Sequence, residues 1–424
     1  MTGLPPPSTL DGTQINEFFL ARQPILNREQ GLFAYELLFR RAQTVHAGVI
    51  DDLAATASVI EHAAALGMAN VIGESLGFVN IDTAVLMSEV VQFLPHKRVV
   101  LEILETVKVT DAVISRVTEL RQKGYVFALD DVINYSEDVH KLLPFVDIIK
   151  LDIADTDPAA LAQLSARFKS AGKKLLAEKV ETLDEYQRCL ELGFDYFQGY
   201  YFAKPAILSG KKLSPSQIAL IQLIGQISSD AENADLERTI KHDASLGLAL
   251  LRMVNSPALG TGHRITSLSQ ALMVLGRKQL QRWLQILLYA EPNQADGTRS
   301  PLLALATTRG KLLELIAEKM RPGNRSMADT AFTVGIMSLV DALFASPMEE
   351  VLGQIPVADA VEAALLSRSG LYGEMLKLAE YTETIEASAH LLKPALQYLQ
   401  LTIEDLQEMQ LAAYEWCEQV SRHS

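Results

Sequence analysis

Eight short apolar runs, centred near Leu20, Ala34, Val79, Leu101, Ala128, Ile149, Leu176 and Phe197, pace the first half of this chain. Val126 to Leu129, Val139 to Phe145, Ile148 to Leu151 and Leu161 to Phe168 show the rhythm, strand-length runs alternating with segments of helical spacing. Eight such units between Phe18 and Tyr201 meet the requirement of a compact (β/α)8 barrel of the TIM type, so an α/β barrel is the expected fold. After Pro205 the apolar period lengthens to about 3.6 residues and no strand pattern recurs, which predicts an all-α second unit.

A chain of 424 residues exceeds one ordinary core and divides naturally in two. Residues 1–16, rich in Pro and small polar residues, read as a disordered tail, 17–205 as the barrel and 206–424 as the helical unit. A short linker is expected at Ala203 to Leu213, where Lys204-Pro205 and Gly210-Lys211-Lys212 interrupt the apolar pattern. Ser214-Pro215-Ser216-Gln217 and Ser267-Leu268-Ser269-Gln270 carry helix-start signals.

A net charge of −14 repels nucleic-acid polymers and anionic lipid, which sets DNA, RNA and membranes aside as partners. The apolar stretch Ala331 to Ala345 is interrupted by Asp341, so no membrane span is expected. Cys189 and Cys417 are far apart and fit neither a disulfide framework nor a zinc ribbon; a cytoplasmic location is expected.

Chemistry concentrates where the strand candidates end: Glu36, Asn80, Glu102, Asp130-Asp131, Lys150, Glu178 and Gln198 each follow an apolar lead-in. In a barrel these ends form one rim, so residues distant in sequence converge on one acidic pocket. Facing carboxylates repel unless cations lie between them, and all-oxygen donors select Mg2+ or Mn2+ over zinc. Adjacent aspartates suit a two-metal site of the kind that acts on phosphodiesters, and a lysine at the same rim can orient water or stabilise charge on phosphate.

The motifs that carry these residues resemble, in order, those of the EAL-domain cyclic di-GMP phosphodiesterases. They are Tyr35-Glu36-Leu37-Leu38-Phe39-Arg40, Val79-Asn80, Leu101-Glu102-Ile103-Leu104-Glu105, Leu129-Asp130-Asp131, the segment Val146 to Asp152 around Lys150, Ala177-Glu178-Lys179-Val180-Glu181-Thr182, and the segment Phe197 to Pro205. The resemblance implies that Glu36, Asn80, Glu102, Asp130 and Asp131 hold two divalent ions (Mg2+ or Mn2+), with Lys150 and Glu178 as catalytic groups near the attacking water. It implies that Arg40 and Gln198 bind the cyclic dinucleotide, that Glu181 braces the loop after Asp131, and that the product is linear pGpG.

Leu37 stands where the family has Ala and Lys179 where it has Gly, and the segment from Arg40 to Asn80 is short. The sharpest departure follows Asp131, where Val132-Ile133-Asn134-Tyr135-Ser136-Glu137 replaces a Phe-Gly start and a Gly/Ser-rich loop. An active phosphodiesterase, a cyclic di-GMP sensor and a scaffold therefore stand as alternative readings.

In the second half, the segment Ala244 to Pro257 and the stretch Ile265 to Gly276 resemble the HDOD domain, which implies a helical module that binds protein partners. The barrels' pairing as a homodimer stays open. His242-Asp243 spells an HD dipeptide but has no metal-spaced histidine beside it, and the stripes Leu246, Leu250, Met253, Val254 and Leu268, Leu272, Leu275 read as core.

Overall fold

All eight apolar runs become strands in a computed structural model, which describes residues 18–41, 71–199, 215–255, 265–289, 300–353, 355 and 357–423. They are β1 (Phe18–Asn27), β2 (Leu32–Arg41), β3 (Leu76–Ile81), β4 (Val99–Ile103), β5 (Val126–Leu129), β6 (Ile148–Asp152), β7 (Lys174–Glu178) and β8 (Tyr196–Gln198). Hydrogen bonding in chain order closes them into a barrel. The expected tail, the linker and the Ser214 cap lie outside the described residues.

One strand departs from the uniform β-α plan. β2 to β8 are parallel, whereas β1 is antiparallel to both β2 and β8. A parallel connection needs about a dozen residues, and the chain between Leu26 and Leu32 is long enough only for a hairpin. Asn27 makes that turn, its Oδ1 accepting from the N–H groups of Glu29 at 3.1 Å and Gly31 at 2.7 Å.

The barrel interior follows the strand period of two. Ala34, Phe78, Val100, Ala128, Ile148 and Leu176, with Ile25 from β1, form a buried inner layer. Two residues further along the chain stand Glu36, Asn80, Glu102, Lys150 and Glu178 on the same strands and Asp130 just past the end of β5, on the same inward face. An apolar floor thus lies beneath a polar rim.

Outside the barrel pack α1 (Thr83–Met87), α2 (Asp111–Gln122), α3 (Glu137–Leu142), α4 (Pro158–Ser170) and α5 (Leu183–Glu191). Side-chain caps start them: Thr110 for α2, Ser136 for α3, Asp157 for α4, and a Thr182–Glu185 capping box for α5. Val117, Leu120, Phe168 and Cys189 bury their apolar faces against the sheet.

Beyond residue 214 the described regular elements are all helices: α6 (Pro215–Ser228), α7 (Asn233–Lys241), α8 (Ala244–Val254), α9 (Leu268–Leu287), α10 (Pro301–Met320), α11 (Arg325–Met337), α12 (Val340–Phe344), α13 (Met348–Leu352), α14 (Asp359–Ser367), α15 (Gly370–Glu383), α16 (Ile385–Leu399) and α17 (Ile403–His423). Ser267 caps α9 through Gln270 N–H at 3.3 Å. Asp243 receives Leu246 N–H at 3.2 Å and so starts α8, which gives the His242-Asp243 dipeptide a capping role. Leu246, Leu250, Val254, Leu272 and Leu275 are core. Against the expectation from Asp341, the stretch Arg325–Phe344 is apolar enough and long enough to cross a membrane by composition, with mean hydropathy 1.4. In the fold it forms α11 and α12, and 61% of it is buried inside the helical core.

The two halves share a boundary. α15 and α17 pack on β1, and α16 on β2, so Phe19, Ala21 and Leu38 of the hairpin belong to the helical half's hydrophobic core.

Candidate active site at the barrel rim

Lys150 organises the rim. Its Nζ lies 3.2 Å from Glu36 Oε2, 2.9 Å from Glu102 Oε1, 2.8 Å from Asp130 Oδ1 and 2.9 Å from Glu178 Oε1. Lys150, Glu36 and Glu102 are buried, and the side chains of Asp130 and Glu178 are only 14% and 13% exposed. Two amides complete the cluster: Asn80 Nδ2 donates to Glu36 Oε1 at 2.9 Å, and Gln198 Nε2 to Glu36 Oε2 at 2.6 Å.

Four carboxylates against one ammonium leave a large deficit of positive charge in a low-dielectric space, and the titration of the groups reflects it. Burial raises Glu102 well above the usual carboxylate range, the charges of Glu36 and Asp130 add to this, and Lys150 offsets only part. Glu178 is pushed up to about 8 by burial against the pull of Lys150, with Asp130 and Glu36 adding to the rise. Asp130 is also raised by burial. Glu36 alone stays below its ordinary value, because Lys150, Gln198 and Asn80 together outweigh its burial. Burial works against the Lys150 charge, yet the surrounding carboxylates hold its pKa well above the normal lysine value.

The rim also presents acceptors without hydrogen-bond partners. Asn80 Oδ1, Glu102 Oε2, Glu178 Oε2 and Gln198 Oε1 are buried and receive no hydrogen bond from the described residues. Such orphaned oxygens beside a charge deficit fit hard divalent cations in donor chemistry. Among the described residues no three carboxylates already face a common point at ligand distance; the Lys150 ammonium occupies the middle of the group.

The structure thus gathers Glu36, Asn80, Glu102, Asp130, Lys150, Glu178 and Gln198. Asp131 stands beside them rather than among them. Its backbone is left-handed, with φ 48°, and it lines a neighbouring cavity of about 320 Å3 together with Asp130, Glu105, Lys108, Ile133 and Asn134. Burial raises its pKa against the pull of Lys179. Arg40 is the penultimate residue of β2, and its side chain lies outside the described atoms. Glu181 precedes α5, exposed, with its N–H donating to Glu185 Oε2 at 2.8 Å.

The loop after Asp131 is anchored without glycines. Val132 N–H donates to Lys150 O at 3.0 Å, Val132 is buried, and Ser136 caps α3. The Arg167 guanidinium covers the Tyr135 ring at 3.3 Å. Lys179 adopts φ 58°, a conformation that favours the glycine it replaces in the resemblance, and ion-pairs with buried Asp152.

Sequence reasoning missed Gln23, whose Oε1 accepts from Gln198 Nε2 at 2.8 Å. Gln23 pairs in register with Glu36 across the hairpin, two residues from inward-facing Ile25. Period two from Ile25 would have found it.

Residues 9–205 match the EAL domain and residues 214–365 the HDOD domain. The chain belongs to the family of proteins that join an EAL domain to an HDOD domain. Among its relatives, the uncharacterized protein YuxH of Bacillus subtilis (strain 168) is 33% identical in an alignment 408 residues long that covers 94% of this chain and 98% of that protein. Cyclic di-GMP phosphodiesterase CdgJ of Vibrio cholerae (serotype O1, El Tor Inaba N16961) is 31% identical over 412 residues, 95% of this chain and 93% of the relative. A standalone EAL protein of Vibrio cholerae O395, solved in its c-di-GMP bound form, is 24% identical with a TM-score of 0.37, over 45% of this chain and 93% of that one.

Proposed function

We propose that the barrel hydrolyses cyclic di-GMP to linear pGpG with two Mg2+ or Mn2+ ions, and that the helical half is its regulatory and interaction module. The observation that carries the reading is the buried cluster of Glu36, Glu102, Asp130 and Glu178 around a single ammonium, with acceptor oxygens left over. Its support is the relative named a cyclic di-GMP phosphodiesterase, which aligns over 95% of this chain.

Glu36, Asn80, Glu102, Asp130 and Asp131 would hold the ions, which supply charge neutralisation at phosphate and activation of water. Among the described residues, Lys150 is the only cation in contact with all four inward carboxyl groups; it holds them close together and favours the charged form of each, prevailing over burial at Glu36. The same ammonium orients the attacking water and meets charge developing on phosphate. Glu178, raised by burial in the cation-free cluster, would lose its proton as the ions bind and so face that water as a proton acceptor. Gln198 and Arg40 hold the nucleotide, with Glu181 bracing the loop after Asp131. Cys189 and Cys417, buried and not joined in a disulfide, suit a cytoplasmic setting.

Asp131's position in the neighbouring cavity favours one second reading, a barrel that binds cyclic di-GMP and reports it through the helical half. Calorimetric titration with cyclic di-GMP in Ca2+, followed by turnover in Mn2+, separates the two. An enzyme binds in the first and releases pGpG in the second, a sensor binds in both without product, and absence of binding rejects both.

A further inference from the structure

Glu36 reaches the rim from a strand whose outer face is held by the other half of the protein. Its neighbour Tyr35 points the opposite way, as the strand pleat requires, and the Arg22 guanidinium lies over the Tyr35 ring at 4.3 Å. On its other side the same guanidinium lies 3.9 Å from the ring of Tyr414, on the C-terminal helix α17. Arg22 is buried; its Nη1 donates to Val71 O at 2.6 Å and its Nη2 to Thr308 Oγ1 of α10 at 3.3 Å. One turn before Tyr414, buried Gln410 donates to Leu20 O at 3.1 Å, so the same helix face grips the β1 backbone.

The next residue after Arg22 faces inward. Gln23 accepts from Gln198, which donates to Glu36 Oε2. Arg22 and Gln23 therefore place one strand between α17 on the outside and the Glu36 carboxylate on the inside. A cation between two aromatic faces in a desolvated space is strongly held, and packed elements shift as units rather than yield locally.

We propose that Arg22 is a positioning residue through which the helical half sets the Glu36 strand, so that a change in the seat of α17 alters catalysis at the rim. This rests on the phosphodiesterase reading for its kinetic consequence but not for the coupling itself.

The full-length chain carries the test in two arms. In the kinetic arm, Arg22→Met and Tyr414→Leu are expected to lower kcat about 10–100-fold with KM within about twofold, as a displacement of ~1 Å at a reacting group would. Tyr414→Phe, which keeps the ring, retains the parental kcat. In the second arm, hydrogen exchange is followed on ligand-free protein. Tyr414→Leu should speed exchange in residues 32–41 and leave 148–152 unchanged. If the parent protein yields no pGpG, the phosphodiesterase reading fails while the exchange arm still decides the coupling. Should Arg22→Met fail to fold, the two Tyr414 variants suffice. The proposal is overturned if Tyr414→Leu folds with parental kcat, or if its faster exchange is confined to α17.

Discussion

Lys150 and Glu102 meet at 2.9 Å inside the barrel, both essentially closed to solvent. Neither is there for packing. Glu102 is driven towards its neutral form by burial and by Glu36 and Asp130, while Lys150 is locked in its charged form by the carboxylates it serves. A pair held this way is costly to fold and is retained where function needs an acidic pocket that a cation can enter.

Removing the ammonium exposes that cost. Lys150→Met leaves four inward carboxyls with no cation, and the fold should lose about 3–5 kcal/mol at neutral pH. Those carboxyls' pKa values rise further, so the deficit shrinks as they protonate: urea unfolding should show a smaller gap from the parent at pH 5 than at pH 8. A gap independent of pH would contradict this account.

Glu178 sets a second pH dependence. Its folded pKa of about 8 exceeds the ordinary 4.5, so the folded chain binds the extra proton. In protein stripped of divalent ions, its contribution to stability is complete below about 4.5 and is lost as the pH rises through about 8. Cation binding must displace that proton. Mn2+ affinity should therefore climb as the pH rises through about 8, with proton release visible by calorimetry in buffers of different ionisation enthalpy. An affinity that does not change over this range would argue against Glu178 as a neighbour of the ion.

Lys179 offers a test of sign. Lys179→Ala keeps a side chain at φ 58° and loses the ion pair to Asp152, whereas Lys179→Gly loses the pair and relieves the backbone. Denaturant titration should find the glycine variant more stable than the alanine variant by about 1 kcal/mol. The reverse order would mean that the pair imposes the left-handed conformation.

Much of this site was legible because two periods coincide in it. Apolar residues at Ala34, Phe78, Val100, Ala128, Ile148 and Leu176 are followed two positions later by the polar residues of the rim, a pattern that any parallel strand closing a barrel displays. The reversed direction of β1 was legible too, in the few residues between Leu26 and Leu32, but the overall β-α rhythm masked it. That reversal hid Gln23, which comes to the rim from the middle of its strand and not from its end. The contact of Arg22 with Tyr414 joins the first strand to the last helix, and no local pattern announces such a pair. Composition likewise gave no sign that Lys150 would sit at the centre of four carboxylates; only the closed barrel brings them together.

Asp131 separates turnover from binding. Because it stands outside the Lys150 cluster and beside the neighbouring cavity, Asp131→Asn should lower kcat at least about 100-fold through loss of the second cation's geometry. Cyclic di-GMP affinity in Ca2+ should stay within about threefold. Equal losses in both would place Asp131 in nucleotide binding.

The most direct test of the central claim is formation of pGpG from cyclic di-GMP, followed by chromatography with Mg2+ or Mn2+, for the parent protein beside Glu36→Ala and Asp130→Ala. Turnover by the parent should require the divalent ion and vanish in both variants, with each variant still folded by circular dichroism. Turnover that survives either substitution, or a parent that binds the dinucleotide and never cleaves it, would contradict it.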